Sequence, residues 1–585
     1  MFKTHFSFLF LFLCSSFLLA QELSREWGRV GPAEFNLNSY DKDPEAEALI
    51  LYDIGKSWFE DDGTKLVIKF TRRKRIKILT EAGKAYADIF LRYYTDGYGK
   101  SEIIKGIDAI AYNVENGELV SSQLTNGSVF DEVIGENWKA KKFAIPNVKV
   151  GTVLEFKYEL ETPFFYNLPD WRFQDRIPTL FSSYTVKMIP FYEYSFLGQG
   201  ITKADQKEVK ADPFEKTYAQ VKYKDMIYTF EKKDVPAFKD ESYITSVNDY
   251  IMKIDFQLAR VNHPRGGSRE IATTWPKLVD QMRRSDGFGK YISKSKKIAE
   301  KVLEQKLPIT GMSDLHKAQN IITYVKNSYE WDGNMGKYAM HSPKEFHETG
   351  VGNVGDINLF LVALLRAAGI DATPVISSTR SHGKIKSNYP FVHFFNYTLV
   401  WVKVGNASFL TDATSPLLAN NRIPPRCINY LGLAINEEEG EWLDLESKNA
   451  SLNRKIIRTV IDPAEMTAKT SLSMQLTDFE AYLFRAEFQN DTEKMHDRFL
   501  KEGFDDIAEI KSMNYDKLRS PYILQVEGES TLGQLGENLV VRPFLNFPIQ
   551  NNELTQKERT YPIDMIFARS DEFLISVNIP EGYKI

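Results

Sequence analysis

Apolar and polar residues alternate along most of the first 240 positions, a period-two pattern that predicts strands with one buried face. "KLVIKFTRRKRIKILTEAGKAYADIFLRYY" alternates on both sides of a Glu-Ala-Gly turn and predicts a long β-hairpin. "TVLEFKYELETP" and "SSYTVKMIPFYEYSF" alternate likewise. "FEDDGTKL", "NVENGELV" and "LTNGSVF" supply the Asp-Gly and Asn-Gly pairs that tight hairpin turns favour, because their central residues must take positive φ. Together these signals predict a large antiparallel β domain over residues 21–260.

The period then changes. "TTWPKLVDQMRR" opens with a Thr cap and an early Pro, a helix start. "YISKSKKIAEKVLEQKL" follows. In "SDLHKAQNIITYVKNSYEW", Leu315, Ala318, Ile322 and Val325 recur at helical spacing behind a Ser-Asp cap. Between Ile357 and Ala368 nearly every residue is apolar, and a helix apolar all round is covered on every side. Asp356 in its first turn, Arg366 in its last and Gly369 just beyond suit the two ends of such a helix. The preceding "GVGNVG" reads as loop. Strands "DATPVISST", "FVHFFNYTLVWVKV" and "ASFLTDAT" complete an α+β domain over 265–445. From Asn453 the pattern is β again. "TAKTSLSMQLTDFEAYLFRAEF", "NLVVRPFLNF" and "DEFLISVNI" read as strands and "DTEKMHDRFLKEGFDDIAEIKSM" as helical, which makes a β-rich third domain over 450–585.

The first residues form a different pattern. Lys3 and His5 precede an apolar run, Phe6–Leu19, and Ala20 offers cleavage before Gln21. Residues 1–20 therefore read as a secretory signal peptide, too short for a span of about 20 residues. No later stretch approaches a transmembrane span, so an exported, periplasmic or envelope-associated protein is expected. Cys14 leaves with the signal, and Cys427 is then the only thiol, so no intramolecular disulfide forms although that compartment allows one. The eight histidines are scattered and none makes a metal-binding motif; neither a metal nor a cofactor is expected. A net charge of −5 is too mild to imply nucleic acid, and the basic run Thr71–Lys77 is read as the solvated face of a strand.

The loop before the apolar helix decides the chemistry. A residue delivered to the N-terminus of a buried helix suits a thiolate, since the helix end stabilises negative charge and lowers a thiol pKa. A His on a neighbouring strand then takes the proton, and an acid orients the His. "GNVGDINLFLVALLRAAGIDATPVI", followed by "FFNYTLVWVKV" and "FLTDATSP", is similar to the transglutaminase-like superfamily, whose core is papain-like. "RIKILTEAGKAYADI" and "AIPNVKVGTVLEFKYELETPFFYNLPDWRFQDRIP" look like the β-rich domain of unknown function that commonly precedes such domains in exported bacterial proteins. The resemblance implies a Cys two residues before the helix-opening Asp, a His directly after a Phe-Asn pair and an acid in a D-x-T. In this sequence Val354, Tyr397 and Asp412 hold those positions, so the acid alone is kept.

The expectation is an exported, catalytically inactive transglutaminase-like protein that binds a peptide, protein or glycan, or serves as a scaffold, in the cell envelope. Asp356, Asn396, Tyr397 and Asp412 are its candidate binding residues. Tyr397 either hydrogen-bonds Asp412 or simply fills volume; both readings stay open. Trp171, Trp331 and Trp401 could line a sugar or peptide site, although tryptophans in such strands are more often core. The alternative is an active cysteine-type peptidase or acyltransferase with a relocated nucleophile. Cys427 is its one thiol. His393 is a poor base for it, on the strand face of Tyr397 but about 13 Å along it.

Overall fold

The computed structural model describes residues 23–96, 99–135, 137–271, 274–436, 439–547 and 552–585. The signal-peptide reading of residues 1–20 lies outside them. The chain divides into two compact units. One holds the described residues up to Phe238 together with Met252–Phe256; the other holds Lys239–Ile251 and Gln257–Ile585.

The first unit is built on an eight-stranded sheet. Its strands run in the order Gln206–Ala211, Met226–Val235, Thr179–Met188, Ala48–Asp61, Leu66–Ile78, Val153–Thr162, Ile103–Glu115 and Glu118–Gln123. The sheet is antiparallel except where Ala48–Asp61 pairs in parallel with Thr179–Met188, so the wholly antiparallel expectation is corrected at that pair. One face packs Ile50, Ile76, Ala111 and Leu154 against Ile89, Leu91 and Phe143 of a second, three-stranded sheet. The other face carries an aromatic core of Phe59, Phe70, Trp171, Tyr184 and Phe256. Trp171 is buried there, stacked on Tyr184 at 5.0 Å, and lines no surface site.

Two further expectations fail in this unit for physical reasons. The long hairpin does not form: Leu66–Ile78 pairs with Ala48–Asp61 and Val153–Thr162, whereas Asp88–Tyr94 joins the other sheet beside Trp138–Ala144. A 3₁₀ turn at Ala82–Ala87 redirects the chain between them. Gly83 makes the turn fit, because a Cβ there would lie 2.1 Å from the carbonyl oxygen of Glu47. The hairpin at Glu115–Glu118 forms as the turn chemistry requires, with Asn116 and Gly117 at φ 51° and 84°.

The basic run is the second correction. Lys74, Arg75 and Lys77 are buried rather than solvated. Arg75 donates from Nε and Nη2 to Glu155 at 2.9 and 2.6 Å, and from Nη1 to Glu34 at 3.2 Å. Tyr52 and Tyr112 also donate to Glu155, at 2.9 and 2.8 Å. Lys74 pairs with Asp175 at 2.6 Å, and Arg72 clasps Asp53 through two bonds. Burial of Arg72, Lys74 and Arg75 is tolerated because each meets a carboxylate, whereas Lys77 donates to the Phe35 and Gly151 carbonyls at 3.1 and 2.7 Å.

The second unit begins with helices Trp275–Arg284, Gly289–Lys306 and Asp314–Ser328, capped by Thr274 and Ser313 as the sequence predicts. In the last of these Ala318, Ile322 and Val325 are buried as expected, but Leu315 is exposed and Ile321 takes the inward position. The apolar helix is Val354–Ala367, two residues longer at its start than its sequence suggests. It packs on Gly289–Lys306 and against strands Asp371–Ser377 and Tyr397–Val404, and it is buried from Val354 through Leu365. Those strands belong to an antiparallel sheet ordered Ala407–Thr411, Tyr397–Val404, Asp371–Ser377, Leu431–Ala434, Glu441–Asp444.

A five-stranded C-terminal sheet follows, ordered Asp506–Met513, Tyr522–Thr531, Thr467–Leu476, Ser451–Asp462, Arg569–Asn578. Two segments there depart from expectation. "DFEAYLFRAEF" is a helix, Asp478–Phe488, and Asp506–Met513, read as helical, is a strand. Phe484 and Phe488, one helical turn apart, lie 4.4 Å from centroid to centroid, and Phe488 joins Leu472, Leu524, Met495 and Phe499 in the core. Sheet burial on one face and helix burial at i and i+4 both fit that apolar spacing.

Candidate functional site

The site is assembled at the start of the central helix. Asn353 caps it: its side chain accepts from the Asp356 amide at 2.8 Å, and Asp356 accepts in return from the Asn353 amide at 3.1 Å. Asp356 also accepts from the backbone amide of His341 at 3.1 Å and faces its Nδ1 at 2.9 Å. Burial raises its carboxyl pKa while these bonds oppose the rise. Every acceptor of Asp356 is thus engaged within the helix entry, which leaves this buried candidate no surface for a ligand. Gly355 permits the entry itself, because a Cβ there would stand 2.3 Å from the backbone of Tyr338.

Val354 is the first helical residue and is fully buried. Around it pack Tyr397, Leu399, Leu418, Cys427 and Ile428, with Trp331 and Trp401 half-buried at the margin. Tyr397 opens its strand, and its hydroxyl does both things left open by the sequence. It fills the buried volume and donates to Asp412 Oδ2 at 2.9 Å. It also receives a hydrogen bond from Arg426 Nη2 at 2.8 Å and lies 3.0 Å from Thr414 Oγ1.

Asp412 is buried at the centre of the network. Its Oδ1 accepts from the Thr414 amide at 2.9 Å, and its Oδ2 accepts from Asn358 Nδ2 at 2.9 Å. Asn358, one turn into the central helix, also donates to the Thr398 carbonyl at 2.8 Å and accepts from the Ala413 amide at 3.0 Å. It ties the helix to both strands. Arg426 completes the set. Its guanidinium stacks over Trp331 at 4.5 Å, donates to Thr414 Oγ1 at 2.7 Å, and leaves a buried Nε with no partner. Burial works against the charge on Arg426, but Tyr397 and Asp412 beside it hold it protonated.

Cys427 is fully buried in this cluster. Burial and the nearby Asp412 push its thiol pKa well up, and Arg426 and the Tyr397 hydroxyl only partly oppose them. Burial and Asp412 likewise push up the Tyr397 hydroxyl. His341 faces Asp356, and His393 sits in the 3₁₀ turn Val392–Phe394 packed on Phe394 at 4.7 Å. His393 is therefore not on the strand of Tyr397, which begins at Tyr397 itself. Asn396 accepts from the Thr379 amide at 2.8 Å and donates to Thr379 Oγ1 at 2.9 Å, so it pins a loop outside the network.

The structure thus brings Val354, Tyr397 and Asp412 together, and adds three residues that sequence reasoning did not place there. Cys427 and Arg426 come from the Pro-rich stretch Ile423–Cys427, far from the helix in sequence and without a periodic signal. Asn358 was legible in principle, as the one amide within an otherwise apolar helix. Among the described residues no group of His, Cys, Asp and Glu is arranged to hold a metal, and no helix is long and apolar enough to cross a membrane.

A buried helix delivering its first residue to an antiparallel sheet, opposite an Asp one residue past a strand, makes an α/β domain set between β-rich regions. Residues 301–405 match the family model of the Transglutaminase-like superfamily, and residues 68–239 match that of a domain of unknown function with a solved structure, DUF3857. The chain carries a transglutaminase-like domain preceded by a DUF3857 domain. Among solved structures it is similar to one from Parabacteroides distasonis ATCC 8503 named a "putative protease", with 12% identity and a TM-score of 0.50 over 72% of this chain and 77% of that one. At that identity the likeness speaks for the fold. No curated protein matches the sequence.

Proposed function

We propose that this is an exported transglutaminase-like protein whose middle domain performs no thiol chemistry and acts as a binding or scaffold module for a peptide, protein or glycan of the cell envelope. One observation supports the reading: Val354 and Tyr397, which the resemblance puts at the nucleophile and base positions, are both fully buried, and Arg426 hydrogen-bonds the Tyr397 hydroxyl. Acyl transfer by a covalent route requires a nucleophile with a base in reach. Cys427, buried in the same cluster, has its thiol pKa pushed well up by burial and Asp412. The Trp331–Arg426 stack is half-buried at the margin of this cluster, where a ligand would be met. Export rests on the pattern of residues 1–20.

The test is a thiol-reactive electrophile applied to the native protein, with adducts mapped by mass spectrometry beside peptidase and amine-transfer assays. Labelling of Cys427 only after denaturation, with no turnover, supports the proposal. A second reading, a cysteine-type peptidase or acyltransferase, is favoured by the placement of Cys427 in one cluster with Tyr397 and Val354. Fast native labelling together with turnover lost in Cys427→Ser establishes that reading instead. Cell fractionation, with a mature N-terminus at Gln21, checks the export half.

A further inference from the structure

The helix Asp314–Ser328 has two different sides. Ala318, Ile321, Ile322 and Val325 face the core. Gln319, Asn320, Thr323 and Asn327 form a polar row, and opposite them stand the loops 416–420 and 515–520, enclosing a cavity of about 520 Å³. That volume is in the range of small-molecule sites. Gln319 is half-buried and Asn320, Thr323 and Asn327 are exposed, so the row lines the cavity's open side with donors and acceptors.

Lys326 lines this cavity from the same helix although it is only 5% exposed. It donates one hydrogen bond, to the Leu418 carbonyl at 2.6 Å. An ammonium has three donors, so two find no acceptor among the described residues. Asp412 attracts it through space without bonding it, and burial lowers its pKa to about 8. A cation this deep with one acceptor destabilises the fold unless something else pairs with it. At the rim stand Lys517 and Arg519, with Asp516 the one carboxylate in the lining. Arg519 Nη1 and Nη2 lie 2.9 and 2.8 Å from the Gln319 side-chain amide, whose oxygen accepts from them once the amide is turned over. Asn420 is pinned by bonds from its Nδ2 to the Gln319 carbonyl at 3.1 Å and Thr323 Oγ1 at 2.7 Å.

We propose that this cavity binds a carboxylate-bearing ligand, with Lys326 pairing with the carboxylate at the floor and Arg519 and Lys517 drawing it in at the rim. The amide row reads the neutral polar groups beside the carboxylate. An acidic sugar and a peptide C-terminus both present a carboxylate flanked by hydroxyl or amide groups. The site borders the Tyr397–Asp412 network, since Leu418 packs there and Asp412 attracts Lys326, but carboxylate binding at it needs no chemistry at Cys427.

The experiment is isothermal titration of the purified protein with two pairs of probes. N-acetyl-dialanine is compared with its C-terminal amide, and digalacturonic acid with the corresponding neutral disaccharide. One acidic member is expected to bind and its neutral partner to bind about tenfold or more weakly. Lys326→Met and Arg519→Gln should each weaken the acidic probe by about ten- to a hundredfold, the weight of a charge-assisted hydrogen bond. Which pair responds identifies the source as peptide or sugar. Arg519 is exposed, so Arg519→Gln carries the test if Lys326→Met does not fold. Acidic and neutral probes binding alike, affinity unchanged in the variants, or no binding of either acid at millimolar concentration overturns the proposal.

Discussion

Replacing Tyr397 by Phe removes one oxygen from the middle of the buried Asp412 network and keeps the ring. The volume is preserved, so any loss reports the hydroxyl. That hydroxyl donates to Asp412 at 2.9 Å and receives from Arg426 at 2.8 Å, and both partners are charged groups in a buried place. Neither is stranded by the change. Asp412 keeps Asn358 and Thr414, and Arg426 keeps Thr414. The cost is therefore that of one hydrogen bond to charge, about 1.5–3 kcal/mol, rather than that of an orphaned ion. For a folding unit of this size about 2 °C is lost per kcal/mol, which gives a fall of roughly 3–6 °C in the melting midpoint. Scanning calorimetry of the wild-type protein and Tyr397→Phe measures it. A cycle with Arg426→Met sharpens the result: if the hydroxyl and guanidinium interact as placed, the double variant loses about 1 kcal/mol less than the sum of the singles. A fall under about 1 °C with strict additivity would refute the network, and Tyr397 would then be a ring that fills a hole.

Other outcomes follow from the same reasoning. Glu155→Gln leaves Arg75 charged and buried without its main partner, so the urea midpoint of the first unit should drop by the equivalent of about 3–5 kcal/mol, followed by circular dichroism. Gly355→Ala forces a methyl onto the Tyr338 backbone and should cost at least about 1–3 kcal/mol by the same measure, because backbone cannot swing aside. Lys326 gives a pH dependence. Its pKa is about 8 in the folded protein against an ordinary 10.5, so between those values the unfolded chain binds more protons. Stability from this group therefore rises with pH across that window and is absent below about pH 8, by up to about 3 kcal/mol for a shift of this size. Urea midpoints of the wild-type protein minus those of Lys326→Met, measured from pH 7 to 10.5, should show that rise; a flat difference would remove Lys326 from the buried cations.

Much of the middle domain was legible along the chain. Thr274, Ser313 and Asp356 announce helix starts, because a cap is a bond between neighbours in sequence. The run from Ile357 to Leu365 announces a helix with no wet side, because burial on all faces leaves only apolar choices. The positions Val354, Tyr397 and Asp412 could be named from their local motifs, and the structure places them side by side.

The remainder depended on partners distant in sequence. "TRRKRIK" reads as a wet strand face because nothing nearby says that Glu155, Asp53, Asp175 and Glu34 will meet its cations. The turn at Ala82–Ala87 hides a change of sheet, since alternation sets the face of a strand but not its neighbour. Arg426 and Cys427 reach Tyr397 and Asp412 only because a Pro-rich connection folds back over them, and Lys326 becomes a buried cation only because two loops pack beside its helix. Local pattern determines which residues are helix, strand and cap, since those preferences act over a few residues. Whether a charge is buried, a thiol shielded or a cavity enclosed is decided by long-range packing, where desolvation depends on what every other segment covers.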